Sequence, residues 1–100
     1  MLRHKFNAVR SECDGFKFAS KKELKRYLEL KMLRQAGEVL FFQMQAPFHL
    51  TGGVKYICDF QVYWKNGDIT FEDVKGVRTP MYILKRKQVE ALYPITITEI

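Results

Sequence analysis

The dipeptide Asn66-Gly67 narrows the folding choices of this chain more than any other feature, because it separates two runs of β-forming residues. Asn-Gly between such runs favours a tight antiparallel turn, since both residues tolerate positive φ. Upstream, Val54 to Trp64 reads as a strand whose residues Tyr56, Cys58, Phe60, Val62 and Trp64 share one face. Downstream, Ile69 to Lys75 reads as the returning strand. Two registers are open. In a two-residue loop Lys65 pairs with Asp68, so Asp59 falls opposite Val74 and shares its face with Glu72. In a three-residue loop, Lys65-Asn66-Gly67 with Gly67 left-handed, Trp64 pairs with Asp68 and Asp59 stands across from Asp73. Apolar patterning does not separate them, because Ile69 and Phe71 lie on the Asp73 face in both. The register decides which acids can meet.

The rest of the chain supplies helices to pack on that hairpin. Ser20 with Glu23 three residues on forms an S-x-x-E capping box, so a helix is expected from about Lys21 to Gln35, stopping at Gly37. Leu24, Tyr27 and Leu28 fall on one side, and Leu30, Met32 and Leu33 widen the stripe. Val39 to Gln45 reads as a strand, with Pro47 ending it or breaking it before Phe48-His49-Leu50. Gly52-Gly53 marks a turn. Thr79-Pro80 opens a second helix, with Met81, Leu84, Val89 and Leu92 as its apolar stripe and Pro94 blocking continuation. Ile95 to Glu99 alternates as a final strand. The order helix, three strands, helix, strand predicts an α/β fold, a mixed sheet flanked by helices, whose last helix crosses over to a parallel strand. Residues 1–19 are polar and irregular, and are expected to form an arm or, from Glu12 to Phe18 around Asp14-Gly15, a short hairpin. One domain over residues 1–100 is expected, with no linker, repeat or low-complexity segment.

Seventeen Lys and Arg against 11 Asp and Glu leave a formal charge of +6, which favours a polyanionic partner, nucleic acid first. A hydrophobic content of 47% argues against a disordered tail. Cys13 and Cys58 stand far apart and belong to no CxxC or Cys/His cluster, which argues against zinc and for reduced, buried thiols. The basic start Met1 to Phe6 lacks the apolar core of a signal peptide, and no stretch approaches a bilayer-spanning length, so no membrane partner and a cytoplasmic location are expected.

Asp59 interrupts the apolar run Tyr56-Ile57-Cys58 and Phe60, where a carboxylate needs a partner or a metal. Two acids on adjacent strands suit a hard divalent cation, Mg²⁺ with Mn²⁺ as a substitute, and such a cation activates water against a phosphate. That chemistry needs the acids together and so favours the three-residue loop. Asp73 and Lys75, two apart on a strand, share a face, and Lys75 is then placed to orient water or stabilise developing negative charge. Each residue also has an ordinary role. Glu23 serves the capping box, Asp73 and Lys75 form an exposed ion pair, and Glu72 is expected to be solvated or to pair across the hairpin. Lys85-Arg86-Lys87 is a basic run on the second helix. Lys85 and Lys87, with Lys21, Lys22 and Arg78, are candidates for nucleic-acid phosphate contacts around an acidic pocket. Gln43 and Gln45, on one strand face, and His49 are auxiliary candidates. Tyr27, Trp64 and Tyr82 are expected in the core.

Cys58-Asp59 followed by Asp73-Val74-Lys75, behind a helix bearing Glu23, resembles the PD-(D/E)XK nuclease superfamily, and the element order resembles its restriction-endonuclease-like core. The resemblance covers about Ser20 to Ile100. Ser20-Lys21-Lys22-Glu23, Tyr27-Leu28-Glu29-Leu30 and Glu72-Asp73-Val74-Lys75-Gly76 also resemble small phage-encoded members. It implies that Asp59, Asp73 and Glu23 bind the metal, that Lys75 assists the water, and that these four are catalytic. Cys58 stands where the motif name has proline. The function it implies is Mg²⁺-dependent cleavage of DNA, structure-selective at junctions, flaps or ends, in phage recombination or replication. The setting is then the host-cell cytoplasm, and a homodimer would suit paired incisions. Two alternatives stand beside it: a non-catalytic nucleic-acid-binding module, and a phage protein-interaction or inhibitor protein.

Overall fold

The computed structural model describes residues 11–100; the expected arm over residues 1–10 lies outside the described residues. The elements run β1 (Ser11–Cys13), β2 (Phe16–Phe18), α1 (Lys21–Gln35), β3 (Val39–His49), β4 (Lys55–Trp64), β5 (Ile69–Asp73), α2 (Pro80–Leu92) and β6 (Ile97–Glu99). β1 and β2 are the short hairpin expected around Asp14-Gly15, both of which take positive φ, as a two-residue turn between right-twisted strands requires. The remaining strands form one sheet in the order β3-β4-β5-β6, antiparallel except for the parallel pair β5–β6. The fold is therefore α/β with a mixed sheet and two helices.

The central hairpin adopts the three-residue loop. Tyr63 pairs with Ile69, the Trp64 amide donates to the Asp68 carbonyl at 2.8 Å, and Gly67 takes φ +96°. That left-handed angle is cheap only for glycine among ordinary residues. β3 runs through Pro47 instead of ending before it, because β3 is an edge strand and an edge position tolerates a missing N–H. β5 stops at Asp73, two residues early, and β6 starts at Ile97, because the Ile95 amide is held in a turn by the Tyr93 carbonyl.

The helices lie on opposite faces of the sheet. Adjacent β5 residues diverge: Phe71 packs with the α2 cluster, while Glu72 meets Arg26 of α1. On the α1 side Phe18, Tyr27, Leu30, Val39, Phe60 and Val62 form one core. On the α2 side Tyr56, Cys58, Tyr82, Val89 and Ile97 belong to the other. The single face expected for Tyr56 to Trp64 is thus corrected. Tyr56 and Cys58 serve α2, Phe60 and Val62 serve α1, and the change occurs at Asp59. The helix stripes also shift. α1 buries Glu23, Tyr27 and Leu30 and leaves Leu28 and Met32 exposed, and α2 buries Tyr82 and Val89 while Met81, Leu84 and Leu92 are exposed. Packing on a sheet selects one side of each helix, and apolar spacing alone does not say which. Tyr27 and Tyr82 are buried as expected; Trp64 is half-buried, its indole N–H donating to the Thr70 hydroxyl at 2.7 Å.

Candidate functional site

The β4–β5 register sets Asp59 against Asp73 at the end of the ladder. The last strand pair is Phe60 with Glu72, and beyond it side chains replace the backbone as partners. The Asp59 amide donates to Asp73 Oδ1 at 3.1 Å, and the Val74 amide donates to Asp59 Oδ2 at 2.9 Å. This explains why β5 ends before Lys75: the amide that would continue it is held by a carboxylate. Opposite, the β3–β4 ladder skips the pair Gln45 and Asp59, and Gln45 takes φ +57°. A non-glycine residue in that region is uncommon.

Glu23 reaches the same place from the first turn of α1. Ser20 caps the helix, its Oγ accepting the Glu23 amide at 3.1 Å, and Glu23 Oε1 accepts the Ala19 amide at 3.1 Å. The capping role is therefore real, displaced by one residue from the usual box. It leaves the carboxyl nearly buried beside Asp59. Burial pushes the Glu23 carboxyl up to about 7, and the hydrogen bond and negative charge of Asp59 push the same way. Asp73 is wholly buried, and burial also raises its pKa, against the pull of the Lys75 charge. Its Oδ2 has no hydrogen-bond partner among the described residues. Such an atom costs about 1–3 kcal/mol unless something meets it.

Lys75 lies just past β5, half-buried, with its ammonium 4.4 Å from the centroid of the Tyr82 ring. Lys22 closes over the same loop, donating to the Lys75 carbonyl at 3.2 Å. Other nominated residues are less concentrated. Lys21 and Lys87 are exposed, Lys85 donates to the Lys55 carbonyl at 3.4 Å, and Arg78 pairs with Glu99 at 3.1 Å. Gln43 is exposed and pairs with Gln61 in the ladder, away from the acids. His49 ends β3, its carbonyl accepting the Tyr93 hydroxyl at 2.8 Å. Gln45, in contrast, lines a cavity of about 290 Å³ together with Glu23, Asp59 and residues of β2.

Two polar features, one of them buried, were not foreseen. Glu72 is neither solvated nor a cross-strand pairing residue: it is buried and takes a two-pronged bond from Arg26, with both N–O distances 2.7 Å. The three-residue register carries the signal, because it pairs Glu72 with Phe60 and so turns Glu72 toward α1. On the far face, Glu99 accepts the Tyr82 hydroxyl at 2.8 Å and pairs with Arg78 and Arg86.

Among the described residues, no three His, Cys, Asp or Glu side chains are placed to form a metal cage. The donor set suits a different arrangement, in which one or two carboxylates and several waters hold a hard divalent cation. Asp73 Oδ2 is buried with no partner among the described residues, and the Glu23 carboxyl is pushed up by burial and then by Asp59 beside it. A cation bound at Asp73 Oδ2 would supply the partner that atom lacks.

Fold and site define an α/β domain whose central hairpin ends in a cluster of carboxyl groups. The chain belongs to the family described as Protein of unknown function (DUF1064), which it matches over residues 3–98. No curated protein matches it. Among the described residues, no helix is long and apolar enough to cross a membrane.

Proposed function

We propose that this protein is a metal-dependent nuclease of the PD-(D/E)XK type, acting on DNA with a structure-selective cut at junctions, flaps or ends. The observation that carries the reading is the register that sets Asp59 against Asp73 while α1 brings Glu23 beside Asp59. The resemblance to phage-encoded members supports a role in recombination or replication, and the charge of +6 suits a phosphate backbone. Asp59 and Asp73, with waters, would hold Mg²⁺ or Mn²⁺, which supplies Lewis acidity and a water of lowered pKa. Lys75 contributes a fixed positive charge beside the acids, and Glu23, with its pKa near neutrality, accepts or releases a proton where water is activated. Lys22, whose ammonium donates to the Lys75 carbonyl, would meet a phosphate oxygen.

The test is cleavage of branched, flapped and linear DNA with Mg²⁺, Mn²⁺ or EDTA. Metal-dependent cutting, lost in Asp73→Asn and Lys75→Ala, is the expected result. Salt-sensitive binding without cutting, unchanged by either substitution, would instead identify a non-catalytic binding module, and absence of any binding would point to a protein partner.

A further inference from the structure

The cavity lined by Glu23 and Asp59 has further walls that the cleavage chemistry does not use. Phe16, Lys17 and Phe18 of β2 line it, as does Gln45 of β3. Phe18 is buried in the α1 core, so its role is packing, but Phe16 is 47% exposed. Its ring meets Tyr27 edge-on at 5.9 Å. The hairpin that carries it is pinned to α1, because Asp14 Oδ2 accepts the Tyr27 hydroxyl at 2.7 Å and the Lys31 ammonium at 2.6 Å. Phe16 is thus an exposed aromatic held in place at a cavity. Exposed Lys17 beside it forms no ion pair among the described residues. Gln45 supplies an amide from a left-handed backbone position, and such outliers concentrate at ligand sites.

We propose that this cavity is a pocket for one unpaired nucleotide, its base stacked on Phe16, its polar edge on the Gln45 amide and its phosphate near Lys17. The volume of about 290 Å³ is at the small end for a ligand site, enough for a single nucleotide and not for a duplex. An aromatic platform, an amide and an ammonium are the groups that bind single-stranded nucleic acid, and stacking suits any base because each has a π face. The inference rests on the nuclease reading and names its preferred substrate: DNA with an unpaired nucleotide next to the cut. Structure selectivity then follows from the pocket, since a base inside an intact duplex would first have to be unstacked.

The experiment uses a flapped oligonucleotide with 2-aminopurine in the unpaired arm beside the junction, and a fully paired control, both with Ca²⁺ in place of Mg²⁺. Binding of the flap should change the probe's fluorescence, and Phe16→Trp should retain that change. Phe16→Leu, which keeps apolar bulk without a π face, should abolish it. The same variant should weaken flap binding about 5- to 150-fold, the range for losing one base–aromatic stack, and leave binding of the paired control unaltered. Thermal melts of both variants establish that they are folded. Unchanged fluorescence and affinity in Phe16→Leu would overturn the pocket, and so would a wild-type protein that binds neither DNA. Cutting by the wild type in Mg²⁺ is read in parallel. Cutting that is indifferent to Phe16 removes the pocket and leaves the nuclease; stacking without any cutting removes the nuclease and leaves the pocket.

Discussion

Replacing Glu23 with Gln should stabilise the metal-free protein above neutral pH. The Glu23 carboxyl rises from 4.5 to about 7 on folding, first because it is buried and then because Asp59 lies beside it. A carboxyl with a raised folded pKa contributes stability that is complete below pH 4.5 and is lost as pH climbs through about 7. At about 1.4 kcal/mol per tenfold change in proton affinity, the loss is about 3.5 kcal/mol. Glutamine removes the ionisation while keeping an oxygen for the Ala19 amide and gaining an N–H for Asp59. Asp73 titrates in the same direction but is present in both proteins, so it cancels in the difference. For a chain of this length 1 kcal/mol moves Tm by about 4–8 °C, so Glu23→Gln should melt about 10 °C or more above wild type at pH 8 in EDTA. The two should converge near pH 4. Mg²⁺ at pH 8 should then raise the wild-type Tm and act less on the variant, since a cation repays the repulsion only where the carboxylate exists. Parallel Tm curves for the two proteins from pH 4 to pH 8 would refute a buried Glu23 carboxyl set beside Asp59.

Two further outcomes follow from buried groups outside the acid cluster. Arg26→Met should cost about 3–5 kcal/mol in urea unfolding at neutral pH by stranding the buried Glu72 carboxylate, and Arg26→Met with Glu72→Met should recover most of it; no recovery would mean the pair is not the cause. Cys58 is fully buried and its thiol is pushed up to about 12 by burial, so a chromogenic disulfide reagent should titrate Cys13 quickly and Cys58 only as the protein unfolds; two fast thiols would contradict this packing.

The elements set by local chemistry are legible in the sequence alone. Ser20 and Glu23 mark the start of α1, Thr79-Pro80 marks α2, and both helices begin where those residues place them. The loop register was legible only through function: apolar pattern allowed two answers, and the need for adjacent acids chose the one observed. What stayed hidden depends on tertiary packing. Met81, Leu84 and Leu92 read as a buried stripe, yet α2 turns Tyr82 and Val89 to the sheet. Glu72 looked like a surface residue because nothing local ties it to Arg26, 46 positions away. Phe16 carried no signal at all, since only the folded chain brings it to the cavity.

The reversal of β4 at Asp59 has a cause that also dictates how the site should be probed. At this level the β3–β4 ladder skips a pair and the β4–β5 ladder ends, so the strand is free to turn Cys58 toward α2 and Phe60 toward α1. The amides released there are not left bare: Asp73 takes that of Asp59, and Asp59 takes that of Val74. The two carboxylates are structural acceptors as well as candidate ligands. Alanine at either position would strand an amide, at a cost of about 1–3 kcal/mol, and lost cleavage would then be indistinguishable from lost structure. Asparagine keeps the accepting oxygen and removes the charge. At Asp73, where burial already disfavours ionisation, Asp73→Asn should hold or raise Tm in EDTA while abolishing metal-dependent cutting. A large fall in Tm would show that the charge of Asp73 is needed for the fold itself, and the assignment of that carboxylate to metal chemistry would lose its support.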